Sequence, residues 1–64
     1  MDTSEKTMRE GIQRFLVGSS VGYTLREIAA HVGSGPQETL EVLQDMQRDG
    51  LVHFRGDRGL WTTR

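Results

Sequence analysis

The chain has 64 residues, of which 34% are hydrophobic and 27% charged, with no cysteine and a formal net charge of -1. A chain of this length forms one small domain that buries only about 60% of its unfolded surface, and without cysteine neither a disulfide nor a thiolate metal site can staple it. A net charge near zero supplies no global attraction to nucleic acid, so where the charges lie matters more than their sum.

The whole chain, residues 1–64, reads as a single domain of three helices followed by a hairpin. The first helix is expected over about residues 4–16, started by a capping box of either Asp2 with Glu5 or Thr7 with Glu10. Met8, Ile12, Phe15 and Leu16 share one face of it at helical spacing. Gly18, Ser19, Ser20 and Gly22 then make a loop, in which Val21 and Tyr23 supply a very short first strand. Tyr23 is read as packing and hydrogen bonding at the sheet edge.

Thr24-Leu25-Arg26-Glu27 matches a capping box at the start of a second helix, about residues 25–32, whose apolar face is Leu25, Ile28, Ala29 and Val32. Gly33 suits the left-handed residue that closes such a helix. His31 lies near that end, where a cation is favourable. A tight turn, Gly33-Ser34-Gly35, leads to Pro36 at the first position of a third helix, about residues 36–48. Thr39, Leu40, Leu43 and Met46 take one side of it, and Gln37, Glu38, Glu41, Gln44, Asp45 and Arg48 the other, with Val42 at the boundary. Gly50 ends it. The hairpin occupies about residues 51–63, with Val52 and Phe54 on one face, Gly56-Asp57-Arg58-Gly59 as its turn, and Trp61 as its main contact with the helices. His53 alternates with the core positions and faces solvent.

The charge is polarised along this order. Residues 1–35 balance; residues 36–49 carry Glu38, Glu41, Asp45 and Asp49 against Arg48; residues 50–64 carry Arg55, Arg58 and Arg64 against Asp57. An acidic third helix thus precedes a basic hairpin. Catalytic readings fail on inventory. No serine or threonine stands beside a histidine, Gly33-Ser34-Gly35-Pro36 is too short for a phosphate loop, and His31 and His53 lie far apart without further ligands. No enzyme activity, cofactor or metal is expected. No run of about 18 apolar residues spans a membrane, the N-terminus is too polar for a secretory signal, and the lack of cysteine fits a reducing cytoplasm.

Leu25-Arg26-Glu27-Ile28-Ala29, the turn at Gly33, Pro36, Leu43, Met46, Asp49-Gly50-Leu51-Val52 and the loop from Gly56 to Gly59 together resemble the winged helix-turn-helix domain family. The resemblance covers Thr24 to Thr63 and, with the first helix, nearly the whole chain. It implies a mainly helical fold with a small β wing, in the order helix, short strand, helix, helix, strand, strand. In that family the third helix enters the major groove of DNA and the wing touches backbone or minor groove. Carried onto this chain, the resemblance makes Ser34, Gln37, Glu38, Glu41 and Gln44 groove-facing, with Arg48 at the far end of the same helix. Arg26 anchors a phosphate as the second helix crosses the backbone. Arg55 and Arg58 become the wing contacts, and His53 approaches a phosphate. Gln37 and Gln44 carry the amide chemistry that reads adenine, and a glutamate can accept from cytosine N4.

The function implied is sequence-specific binding of double-stranded DNA, by a small transcriptional regulator or the DNA-binding domain of a larger one. The cations available to meet phosphate are few, so a homodimer or a second domain would double the contacts. The outward acids suggest an alternative, a protein-docking module. There Leu40 and Val42 form an apolar centre ringed by Glu38, Glu41 and Asp45 against a basic partner. Plainer readings accompany each residue. The Gly56–Gly59 turn serves equally as a simple hairpin turn. Arg55 and Arg64 suit solvent or the face of Trp61 better than a base, and an acidic helix face is most often only solvated.

Overall fold

The computed structural model describes residues 3–63. It contains three helices, α1 (Thr3–Val17), α2 (Leu25–Val32) and α3 (Pro36–Arg48), and two strands, β1 (Val52–Arg55) and β2 (Leu60–Thr63). The fold is mostly helical with a small antiparallel hairpin. Each helix lies within a residue of its expected bounds. Of the two expected starts of α1, Asp2 lies outside the described residues, and Thr7 with Glu10 falls inside the helix, not at its end.

Local chemistry explains the helix boundaries. At the start of α2 the Thr24 hydroxyl accepts from the Glu27 N–H at 3.2 Å, and the Glu27 carboxylate accepts from the Thr24 N–H at 2.9 Å. Both halves of the capping box are therefore made, and two otherwise unpaired donors of a short helix are satisfied. Thr24→Ala removes one half and frees the other. It is expected to cost about 1 kcal/mol, a fall of about 4–8 °C in melting temperature for a domain this size. An unchanged thermal melt followed by circular dichroism would contradict that role.

The other end of α2 closes at Gly33, φ 73°, whose N–H donates to the Ala29 carbonyl at 2.9 Å. α3 starts at Pro36 without a side-chain cap. Its end is a Schellman motif: the Gly50 N–H donates to the Gln47 carbonyl and the Leu51 N–H to the Met46 carbonyl, with Gly50 at φ 78°. That motif turns the chain directly into β1.

The core is one cluster drawn from every element: Ile12 and Leu16 of α1, Ile28 of α2, Val42, Leu43 and Met46 of α3, Val52 of β1 and Trp61 of β2. Met8, Phe15, Leu25, Val32 and Leu40 pack half-buried around it. Thr39 is fully buried, and its hydroxyl donates to the Gly35 carbonyl at 2.9 Å, so no polar group is stranded.

Val42 departs from its expected boundary position. It is only 7% exposed. Thr39, Val42, Leu43 and Met46 follow the i, i+3, i+4, i+7 spacing, so Val42 belongs to the buried stripe. Phe54 departs the other way. It shares a sheet face with Val52 but is 38% exposed, and its ring leans on Trp61.

β1 and β2 pair in the register Val52↔Thr63, His53↔Thr62, Phe54↔Trp61 and Arg55↔Leu60. The N–H groups of Arg58 and Gly59 both donate to the Arg55 carbonyl and close the turn. The short strand expected at Val21 and Tyr23 is not formed. What stands there is one isolated bridge, in which Tyr23 and Trp61 exchange two backbone hydrogen bonds of 3.0 and 2.7 Å. The reason lies one residue earlier, at Gly22. Its φ is 104°, and both its N–H and that of Val21 donate to the Ser19 hydroxyl. The chain is curled up to Gly22 and has only one extended residue before the Thr24 cap.

Candidate nucleic-acid interface

α3 buries Thr39, Val42, Leu43 and Met46. A period of 3.6 residues therefore directs Gln37, Glu41, Gln44 and Arg48, spaced i, i+4, i+7 and i+11, straight away from the core. All four are exposed. Glu38 and Asp45 flank this ridge on one side, Leu40 and Gln47 on the other. Leu40 is half-buried and rests on the core cluster.

The acids of α3 are not equivalent. Asp45 pairs with Arg48 one turn along the helix. Asp49, at the helix end, pairs with Arg9 of α1 at 2.7 Å. Surface pairs of this kind contribute little stability, about 0–1 kcal/mol, but they aim the side chains. Asp49 is drawn toward α1. Glu38 and Glu41 are the α3 carboxylates with no basic partner among the described residues. Nothing in the local spacing of the sequence announces the Arg9–Asp49 pair, since its members are 40 positions apart.

The hairpin follows α3 after a three-residue connection and packs against it. His53 and Arg55 are exposed on the face of β1 opposite Val52, and Arg58 is exposed in the turn, 3.9 Å from Asp57. Arg55 has no acidic partner among the described residues. Phe54 is the ring that leans on Trp61, with centroids 4.7 Å apart and planes at 45°. Arg64, the other suggested neighbour of Trp61, lies outside the described residues.

Arg26 is exposed in the first turn of α2. Ser34 is half-buried, and its hydroxyl lies 3.9 Å from the Met8 sulfur of α1, so it is turned toward the helical layer. His31 is placed by stacking: its ring lies flat on Phe15, centroids 3.9 Å and planes 7° apart. Tyr23 stacks on Phe15 as well, at 4.0 Å and 14°. This Tyr23–Phe15–His31 pile ties the bridge residue to α1 and α2. The periodic pattern shows Phe15 facing the core but not which rings meet it. No group of three or more His, Asp or Glu side chains among the described residues is placed to hold a metal ion, and none of their helices is long and apolar enough to cross a membrane.

No family model, curated protein or solved structure matches the chain. A functional reading therefore rests on geometry and chemistry.

Proposed function

We propose that this chain is a winged helix-turn-helix module of a cytoplasmic transcriptional regulator that binds double-stranded DNA. In this reading the outer ridge of α3 enters the major groove, the hairpin is the wing, and the Tyr23–Trp61 bridge stands in for the first strand. The observation that carries it is the disposition of the acids. Asp49 is held toward α1 by Arg9 and Asp45 is matched by Arg48. The repulsion that α3 presents to phosphate then comes mainly from Glu38 and Glu41. Beside it, Arg55 and Arg58 stand exposed on the hairpin. Gln37 and Gln44 are the base-reading candidates, with amides suited to adenine, and Glu41 between them suits cytosine N4. Arg26 and His53 are backbone contacts in this scheme, and Ser34 orders the turn more than it reads DNA.

The docking alternative keeps only part of its apolar centre, because Val42 is buried and Leu40 is half-buried against the core. What remains for a basic partner is Glu38, Glu41 and Asp45.

The test is fluorescence anisotropy against a pool of labelled duplexes at about 50 and 200 mM salt. Arg55→Ala with Arg58→Ala should weaken binding to every duplex and lower the salt slope by about two, one for each lost phosphate contact. Gln44→Ala should instead flatten the preference among duplexes. Glu38→Lys with Glu41→Lys should tighten binding and blunt its selectivity. No binding to any duplex at the lower salt would sink the proposal.

A further inference from the structure

The two ends of α3 differ in chemistry. At the C-terminal end the charges are matched within the fold: Arg48 pairs with Asp45, and Asp49 is held by Arg9 of α1. The earlier turns are open. Gln37, Glu41 and Gln44 project away from the buried stripe, all three are exposed, and none has a hydrogen-bond or ion-pair partner among the described residues. Glu38, beside them, is exposed as well.

What these groups share is an acceptor oxygen. A carboxylate accepts and does not donate, and a glutamine amide accepts through one atom and donates through the other. Between Gln37 and Gln44 the helix carries no lysine or arginine. Its one cation, Arg48, lies beyond this stretch with its guanidinium on Asp45. The stretch from Gln37 to Gln44 covers about 10 Å at 1.5 Å per residue, or about three base-pair steps of 3.4 Å. In the major groove, adenine and cytosine present an amine donor, whereas guanine and thymine present acceptors. Guanine is read by arginine or lysine, which this stretch lacks. Against guanine or thymine, Glu41 would set oxygen against oxygen.

We propose that α3 reads the exocyclic amines of adenine and cytosine, so that methylation of those amines releases the chain from its DNA. Each amine has two hydrogens. One pairs with the opposite base, and the other points into the major groove, where a Gln37, Glu41 or Gln44 oxygen accepts it. A methyl group in place of that second hydrogen leaves the base pair made, removes the donor and sets a carbon against the oxygen. A methyl group at cytosine C5 leaves the donor in place. The central carboxylate sharpens the dependence. Without the cytosine N4 hydrogen, Glu41 is an unpaired anion between phosphate strands, which is costly. The inference rests on the DNA-binding reading above, and adds which bases suit the ridge and which modification of DNA turns binding off.

The experiment starts from the duplex that the parent chain prefers in the anisotropy pool. Its adenines and cytosines are replaced one at a time by N6-methyladenine or N4-methylcytosine, and each cytosine also by 5-methylcytosine. N4-methylation of one cytosine and N6-methylation of at least one adenine should each weaken the parent chain by about tenfold or more, as expected when a specific base contact is lost. 5-Methylation of that same cytosine should cost less than about threefold. Glu41→Ala should bind the N4-methylated and unmodified duplexes within about twofold of each other, and Gln44→Ala should do so for one N6-methylated adenine. Both side chains are exposed and unpartnered, so the circular dichroism of the two variants should match the parent. A change in DNA stiffness on methylation acts on parent and variant alike, so the variants separate a lost contact from a deformed duplex. Affinity that ignores every amine methylation, an equal loss from 5-methylation, or sensitivity that survives Glu41→Ala and Gln44→Ala overturns the inference and leaves duplex binding standing. Failure of the parent chain to bind any duplex overturns both.

Discussion

Trp61→Ala is expected to leave most of the chain unfolded at physiological temperature. Trp61 is 5% exposed and sits where every layer meets. Its ring belongs to the core cluster with residues of all three helices, Phe54 leans on it across the hairpin, and its backbone holds Tyr23. Truncating a buried tryptophan costs about 3–5 kcal/mol. A domain of this size has a total stability of about 3–10 kcal/mol, at about 0.05–0.15 kcal/mol per residue. The loss therefore approaches the whole. The expected fall in melting temperature is at least about 12 °C, at 4–8 °C per kcal/mol. Trp61→Phe keeps an aromatic body in the same place and should cost distinctly less. Far-ultraviolet circular dichroism melts of the three chains decide the matter. A Trp61→Ala chain that melts within a few degrees of the parent would mean that the hairpin contributes little to the core.

Gly22→Ala is the second large effect, and it acts through the backbone. The φ of Gly22 is 104°, a region that side chains with a Cβ rarely adopt. A Cβ there would also fall 2.5 Å from both the Thr62 Cγ2 and the Trp61 carbonyl oxygen. The methyl group can rotate away with its side chain, but the carbonyl is part of the β2 backbone and cannot. Relief requires Tyr23 to move off Trp61, which breaks the bridge, and with it the Tyr23 ring shifts on Phe15. An expected cost of about 2–4 kcal/mol combines a strained backbone with the lost bridge hydrogen bonds. Gly33→Ala is the contrasting case, since Gly33 also has positive φ but no atom within 4 Å of an added Cβ. It should lose only about 1 kcal/mol. Equal destabilisation by the two changes would show that φ alone, not the close approach to β2, governs Gly22.

Much of the candidate site follows from local pattern. The outward ridge Gln37, Glu41, Gln44, Arg48 is fixed once the stripe Thr39, Val42, Leu43, Met46 is recognised as one helical face. The hairpin arginines follow from their place in a turn and on alternate strand positions. The sequence pattern leaves Val42 at the boundary because Leu40 competes with it for the stripe. In the structure Val42 is buried and Leu40 stays half-buried at the edge of the core. The partner of Asp49 was not legible at all. Arg9 and Asp49 are joined by the packing of α1 beside the end of α3, a contact with no local signature.

Within its own elements the sequence determined most of what was needed: three helices, the capping box of α2, the αL glycine at Gly33, the stop at Gly50, and a hairpin with a four-residue turn. These depend on interactions among residues a few positions apart, whose chemistry is written in order along the chain. The tertiary structure decided what depends on distant neighbours. It reduced the first strand to a single bridge, because Ser19 and Gly22 curl the chain until Tyr23. It stacked Tyr23, Phe15 and His31, and it left Phe54 outside the core that its strand pattern assigns it to. It also drew Asp49 away from the outward acids. Each of these outcomes is a competition for space or charge between elements, and a one-dimensional pattern carries the competitors without their distances.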